Sequence, residues 1–107
     1  MANNPSMLVV ITTVATQEDA HRIARELVER RLTACAQISP IESIYRWEDK
    51  VQHDAEWRLL IKTTQERYAE LEAALKVLHP YELPAIYALP VTEASASYAG
   101  WVGLEVR

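Results

Sequence analysis

Two donors in this 107-residue chain stand where they could hold a soft or borderline metal, the thiol of Cys35 and the imidazole of His79. A thiolate suits copper and other soft or borderline metals. An imidazole placed where a helix stops, as His79 is just before Pro80, can take a metal or, when protonated, interact with the last helical carbonyls. Tyr81 and Glu82 follow at once and offer oxygen ligands. No spacing here reproduces a closed zinc site, and no second histidine stands three or four positions from His79. Cys35, between Ala34 and Ala36, also reads as a small buried hydrophobe, the commonest environment of a free cysteine.

A second group of polar residues lies on one alternating run. Glu56, Arg58 and Lys62 interleave with Trp57, Leu59 and Ile61, so an extended chain puts the charges on one face and the apolar side chains on the other. Lys62 can then serve as the cation for a small anion in a cleft between subunits, with Tyr45, Trp47 and Glu48 near the tip or edge of the same feature. The same pattern is satisfied by ion pairing across strands or subunits, Glu56 opposite an Arg or Lys. Catalysis has no comparable signal. No serine sits in a nucleophile elbow, no H-E-x-x-H occurs, and nothing in the sequence brings a histidine to Cys35. The pair Glu48-Asp49 reads as the solvated tip of a turn.

These residues need a frame, and the longest element of it runs from Leu32 to Thr63, two strand-like arms joined near Glu48, Asp49 and Lys50. About 14 residues per arm at roughly 3.3 Å each would span on the order of 45 Å. A compact domain of this length has a radius of gyration of about 13 Å, a diameter near 35 Å. The hairpin should therefore overshoot its own domain, and an edge bearing Tyr45, Trp47 and Trp57 calls for another subunit to cover it. Pro40 removes a donor from the first arm, which predicts a bulge or an edge position.

Met7 to Val14 is a β-branched, apolar run, the pattern of a central strand. Thr16 with Asp19 resembles a capping box for a helix from about Gln17 to Arg31, with Ala20, Ile23, Ala24, Leu27 and Val28 at helical spacing and Arg30 and Arg31 in the last turn. Thr63 with Glu66 predicts a second cap, ahead of a helix carrying Tyr68, Leu71, Leu75 and Leu78 that Pro80 ends. Leu83 to Val91, bracketed by Pro84 and Pro90, reads as a strand at or near a sheet edge. A final helix starts near Ser95 with Tyr98, Trp101 and Val102 inward. The order predicts an α+β, ferredoxin-like βαββαβ sandwich with a long β2–β3 hairpin and a carboxyl-terminal helix. One sheet face then lacks cover, and sheet-to-sheet oligomerisation would supply it.

Bulk properties narrow the function. Half the residues are hydrophobic and 24% charged, ordinary globular composition. A net charge of -4 leaves no basic footprint for nucleic acid. Only two glycines occur, Gly100 and Gly103, so a phosphate-cradling loop is absent. The apolar run after residues 1–6 is too short for a signal or a membrane span, and one cysteine fits a reducing compartment. The expectation is a cytoplasmic single domain over 7–107 with a disordered 1–6 stretch and no membrane partner.

Several short motifs in order then resemble one family. They are Leu32-Thr33-Ala34-Cys35, Ser43-Ile44-Tyr45-Arg46-Trp47, Glu56 with Leu60-Ile61-Lys62-Thr63, His79-Pro80-Tyr81 with Pro84 and Ile86, and Tyr98 with Trp101. Together they are similar to the CutA divalent-cation tolerance proteins, related in architecture to the PII signalling proteins. The resemblance implies a tight homotrimer whose hairpins pair between subunits, and a role in tolerance of copper and other divalent metals. Some copper-binding members carry a cysteine where Thr12 stands and a histidine where Leu78 stands, and most have a glutamate at the position of Ala85. What carries over is therefore weak copper or other divalent-metal binding near the subunit interface, with His79 and Cys35 as donors and Lys62, Glu56, Tyr81, Tyr45, Trp47 and Trp101 as ligand-binding or interface residues. The alternative is a PII-like or ACT-like regulatory module that binds a small anion in the intersubunit cleft.

Overall fold

Strand β1, Met7–Val14, places Val10 and Val14 at zero exposure, because it lies inside a four-stranded antiparallel sheet. The computed structural model describes residues 6–107. The disordered stretch expected over 1–6 falls outside them except for Ser6, whose carbonyl accepts a bond from the Gln65 N–H at 2.8 Å. With β2 (Cys35–Trp47), β3 (Lys50–Thr64) and β4 (Tyr87–Pro90), the sheet runs β2-β3-β1-β4. Helices α1 (Gln17–Glu29) and α2 (Tyr68–Leu78) contribute Ile23, Leu27, Leu71 and Leu75 to the main core. That core also takes Val10, Val14, Leu59 and Ile61 from one sheet face. Helix α3 (Ala96–Glu105) sits on Met7, of opposite parity along β1, with Ala34 and Val91.

Helix α1 starts as its cap predicts, the Thr16 hydroxyl accepting from the Asp19 N–H at 3.1 Å. It ends at Glu29 rather than Arg31, so Arg30 and Arg31 lie beyond its last turn. The cause is a Schellman closure. Arg31 takes φ 58°, the Leu32 N–H reaches the Leu27 carbonyl and the Arg31 N–H the Val28 carbonyl, both at 3.0 Å. Leu27 and Leu32 are both buried, as the motif's apolar contact requires. This closure consumes Leu32, and the hairpin begins only at Cys35.

The hairpin pairs without a slip from Cys35 opposite Lys62 to Trp47 opposite Lys50. Its turn is two residues, Glu48 and Asp49 at φ 50° and 64°, as a type I′ turn needs at both centres; Lys50 belongs to the strand. Pro40 makes no bulge and lies on the outermost strand, where its missing N–H costs no ladder bond. Pairing of β1 with β3 stops at Val14 opposite Trp57, so residues 41–56 continue as a two-stranded ribbon past the sheet. The molecule is drawn out to 52 × 25 × 21 Å as a result. On the ribbon Ile44 is 73% and Val51 68% exposed.

Three further expectations are corrected. Thr63 caps nothing: β3 stays paired to β1 as far as Thr64, and the buried Thr63 hydroxyl donates to the Leu32 carbonyl at 2.8 Å. A 3₁₀ turn, Gln65–Arg67, precedes α2 instead, and its Thr64 cap has no side-chain bond. The last strand is four residues, paired to Leu8–Ile11, not the full Leu83–Val91 run, though it does form the sheet edge. In α3, capped by Ser95, the inward residues are Ala99, Val102 and Gly103. Tyr98 and Trp101 face outward and stack on each other at 5.9 Å.

Candidate functional site

Pro80 forces His79 out of the helical region, to φ -75° and ψ 132°, at the C-terminus of α2. This turns the ring down onto the end of β1, where His79 is 7% exposed. Its Nε2 lies 3.0 Å from both the Thr12 Oγ1 and the Thr13 carbonyl, and its Nδ1 accepts the Tyr81 N–H at 3.1 Å. An acceptor at Nδ1 assigns the proton of the neutral ring to Nε2, which donates to the Thr13 carbonyl. The Tyr81 ring packs against His79 at 5.0 Å, and its hydroxyl donates to Glu56 Oε2 at 2.6 Å. Glu56 sits one residue past the last β1–β3 pair, at the root of the ribbon. One step further out, the Tyr45 hydroxyl donates to Asp54. From α1, Arg22 bonds to Asp19 and to the Leu78 carbonyl, at 3.2 and 3.0 Å, closing the end of α2 beside the imidazole.

Three groups in this line, His79, Tyr81 and Tyr45, have their ionisation moved by their surroundings. Burial holds the His79 imidazole below its ordinary 6.5, and Arg22 acts the same way; the Thr13 carbonyl, Asp19 and Glu56 oppose it. Burial, then the bond to Glu56, lifts the Tyr81 phenol well above its ordinary 10. The bond to Asp54 raises Tyr45. The line therefore sets hydroxyl donors against carboxylate acceptors, Tyr81 on Glu56 and Tyr45 on Asp54. An acid limb of stability follows. Because the unfolded ring protonates first, the stability His79 contributes is complete above pH 6.5 and is lost as the pH falls towards the lower folded value. Melting curves of the wild type and His79→Gln should converge as the pH drops below 6.5; parallel curves would count against this.

Cys35 belongs to a different place. Thr33, buried, donates through its hydroxyl to the Lys62 carbonyl at 2.6 Å and accepts the Cys35 N–H at 3.2 Å, which fixes the start of β2. The half-buried Cys35 stands opposite Lys62, whose Nζ donates to Gln37 Oε1 at 2.7 Å. Ala36 and Ile38 pack on the helix-side core, so Cys35, Gln37 and Lys62 occupy the other sheet face. Lys62 pairs with Val9, three residues before Thr12 on β1, and β2 is two strands from β1. These offsets put Cys35 roughly 14 Å from the His79 contact.

The structure thus gathers His79, Tyr81 and Glu56 with Tyr45 nearby, pairs Cys35 with Lys62, and leaves Trp47 at the ribbon tip and Trp101 on α3. Among the described residues, no group of three or more His, Cys, Asp and Glu is placed to hold one metal ion. A shallow groove between α1 and β2, lined by His21, Ala24, Arg25, Val28, Glu29 and Ile38, contains none of these side chains. Sequence reasoning named Thr12 only as the replacement for a cysteine and Thr33 only as part of a motif, and missed the hydrogen bonds both make. Both are threonines inside apolar runs, with no local signal for a partner 67 or 29 positions away.

Comparison with known proteins gives a consistent result. Residues 8–105 match the family model described as CutA1 divalent ion tolerance protein. The chain is 46% identical over 95 residues to the divalent-cation tolerance protein CutA of Thermus thermophilus, covering 88% of this chain and 92% of that one. The crystal structure of CutA1 from Oryza sativa superposes with a TM-score of 0.95 at 36% identity, over 99% of this chain and 98% of the other. The protein from Archaeoglobus fulgidus, named a periplasmic divalent cation tolerance protein CutA, superposes at 0.92 with 33% identity, over 94% and 99%.

Proposed function

Because this chain belongs to the CutA1 divalent ion tolerance family, we propose that it acts in the tolerance of divalent cations, copper among them, as a non-enzymatic homotrimer of ferredoxin-like subunits in the cytoplasm. The match across residues 8–105 carries the reading. The ribbon of residues 41–56 supports the assembly: it has ladder groups free on the outer side of β2 and apolar side chains in solvent, and a two-stranded hairpin alone is marginal in water. The single cysteine fits a reducing compartment. Metal contact in this reading is weak and lies near the subunit boundary, with the Cys35 thiol on edge strand β2 as its soft donor.

Growth of the source organism in graded copper tests it. A strain lacking the protein should be inhibited at lower copper than its parent and restored by the intact chain. Identical growth curves with and without the protein would sink the proposal.

A further inference from the structure

A divalent cation implied by the family meets, in this chain, a histidine that is already fully engaged. We infer that His79 is not a metal ligand but a clamp. It ties the end of β1 to the segment after α2 and so holds the Tyr81 hydroxyl on Glu56 at the root of the ribbon.

A metal takes an imidazole nitrogen through its lone pair. Nδ1 spends that pair on the Tyr81 N–H at 3.1 Å, and Nε2 carries the proton given to the Thr13 carbonyl at 3.0 Å. To bind through Nδ1, the ring must leave the Tyr81 N–H without its acceptor; to bind through Nε2, it must abandon Thr13 and Thr12 together. Neighbouring donors are no freer. The Tyr81 phenol is bonded to Glu56, and the hydroxyl beside Nε2 belongs to Thr12, which is completely buried. Cys35 is on the opposite face, roughly 14 Å away by strand spacing, several times the separation that two ligands of one ion allow.

The same contacts say what the ring does instead. Tyr81 receives one restraint at its backbone from Nδ1, a second from ring packing at 5.0 Å, and passes a third to β3 through Glu56. Loss of the imidazole frees Tyr81 at its backbone and slackens the only side-chain tie described between this segment and the ribbon root.

The test is read on the intact protein. Long-range proton–nitrogen NMR spectra of the three histidine rings, recorded with and without excess zinc, should show His79 as the neutral Nε2–H form with both nitrogen shifts unmoved by the metal. Loss of the Nε2–H correlation, or a zinc-induced shift of either His79 nitrogen, would overturn the inference. Calorimetric titration of copper into His79→Gln should reproduce the wild-type isotherm, while the Tyr81 phenol ionises at lower pH than in the wild type. A vanished binding event, or an unmoved Tyr81, counts against the clamp. These outcomes are independent of the growth experiment, so the clamp and the tolerance reading fail separately.

Discussion

In the homotrimer proposed above, removal of residues 42–45 and 52–55 is expected to turn a particle of three times the 12.2 kDa chain mass into one that sediments as a single chain. The deletion takes four residues from each arm, so Ile41 still pairs with Glu56 and is followed by the Arg46–Val51 pair and the native Glu48-Asp49 turn. An even number preserves the period of two, and every retained side chain keeps its face. The β1–β3 ladder, which begins at Trp57, and the Tyr81–Glu56 bond are untouched. What disappears is the outer ribbon with Ile44, Tyr45 and its bond to Asp54. The trimmed protein should keep its helical signal and melt at a temperature independent of concentration, whereas the intact protein melts higher as concentration rises. A trimmed protein that still sediments at the intact mass would show that assembly does not use the ribbon.

Leu59→Ala should lower stability by about 2–5 kcal/mol, the range for a buried leucine truncated to alanine. Leu59 has no exposed surface, sits between Ile38 and Thr12 in the ladders, and belongs to the buried cluster to which α1 and α2 also contribute. Close packing on every side leaves little room for collapse around the lost atoms. Val77→Ala, on the outer face of α2 at 84% exposure, is the control, with an effect within about 0.5 kcal/mol. Denaturant unfolding at one fixed chain concentration compares the two, since dissociation is coupled to unfolding in an oligomer. Equal midpoints for both variants would contradict the placement of Leu59 in the core.

The ribbon deletion and Leu59→Ala test different parts of the same strand, β3. Around Leu59 and Ile61, β3 is covered by helices and behaves as ordinary core; beyond Trp57 it leaves the sheet with one neighbour only. In the proposed trimer, a mutation in the first part is read as stability and one in the second as association. The His79–Tyr81–Glu56 line lies where the two parts meet.

What the sequence determined by itself is what neighbours along the chain can settle. The alternation Trp57, Leu59, Ile61 against Glu56, Arg58, Lys62 specifies a strand with two unlike faces, and the apolar run Met7–Val14 a central one. Thr16 and Ser95 announce helix starts because a cap acts within three residues, and both do cap. The hairpin's excess length followed from counting residues against domain size, and the 52 Å long axis agrees with it. Thr63 shows the limit of the same logic: the same kind of local signal as at Thr16 is overridden by ladder pairing with Leu8. Only tertiary structure decided where the Arg31 guanidinium would bond, since its partners, the Leu104 and Arg107 carbonyls, come from the far end of the chain. It also turned Tyr98 and Trp101 outward, because Met7 admits the small face of α3, Ala99 with Val102. It separated Cys35 from His79 by face and by strand, and it brought Thr12 to the imidazole across 67 positions. Periodicity encodes which side of an element is apolar; which partner meets that side is a matter of packing, and a hydrogen bond between distant residues leaves no trace in either one's local pattern.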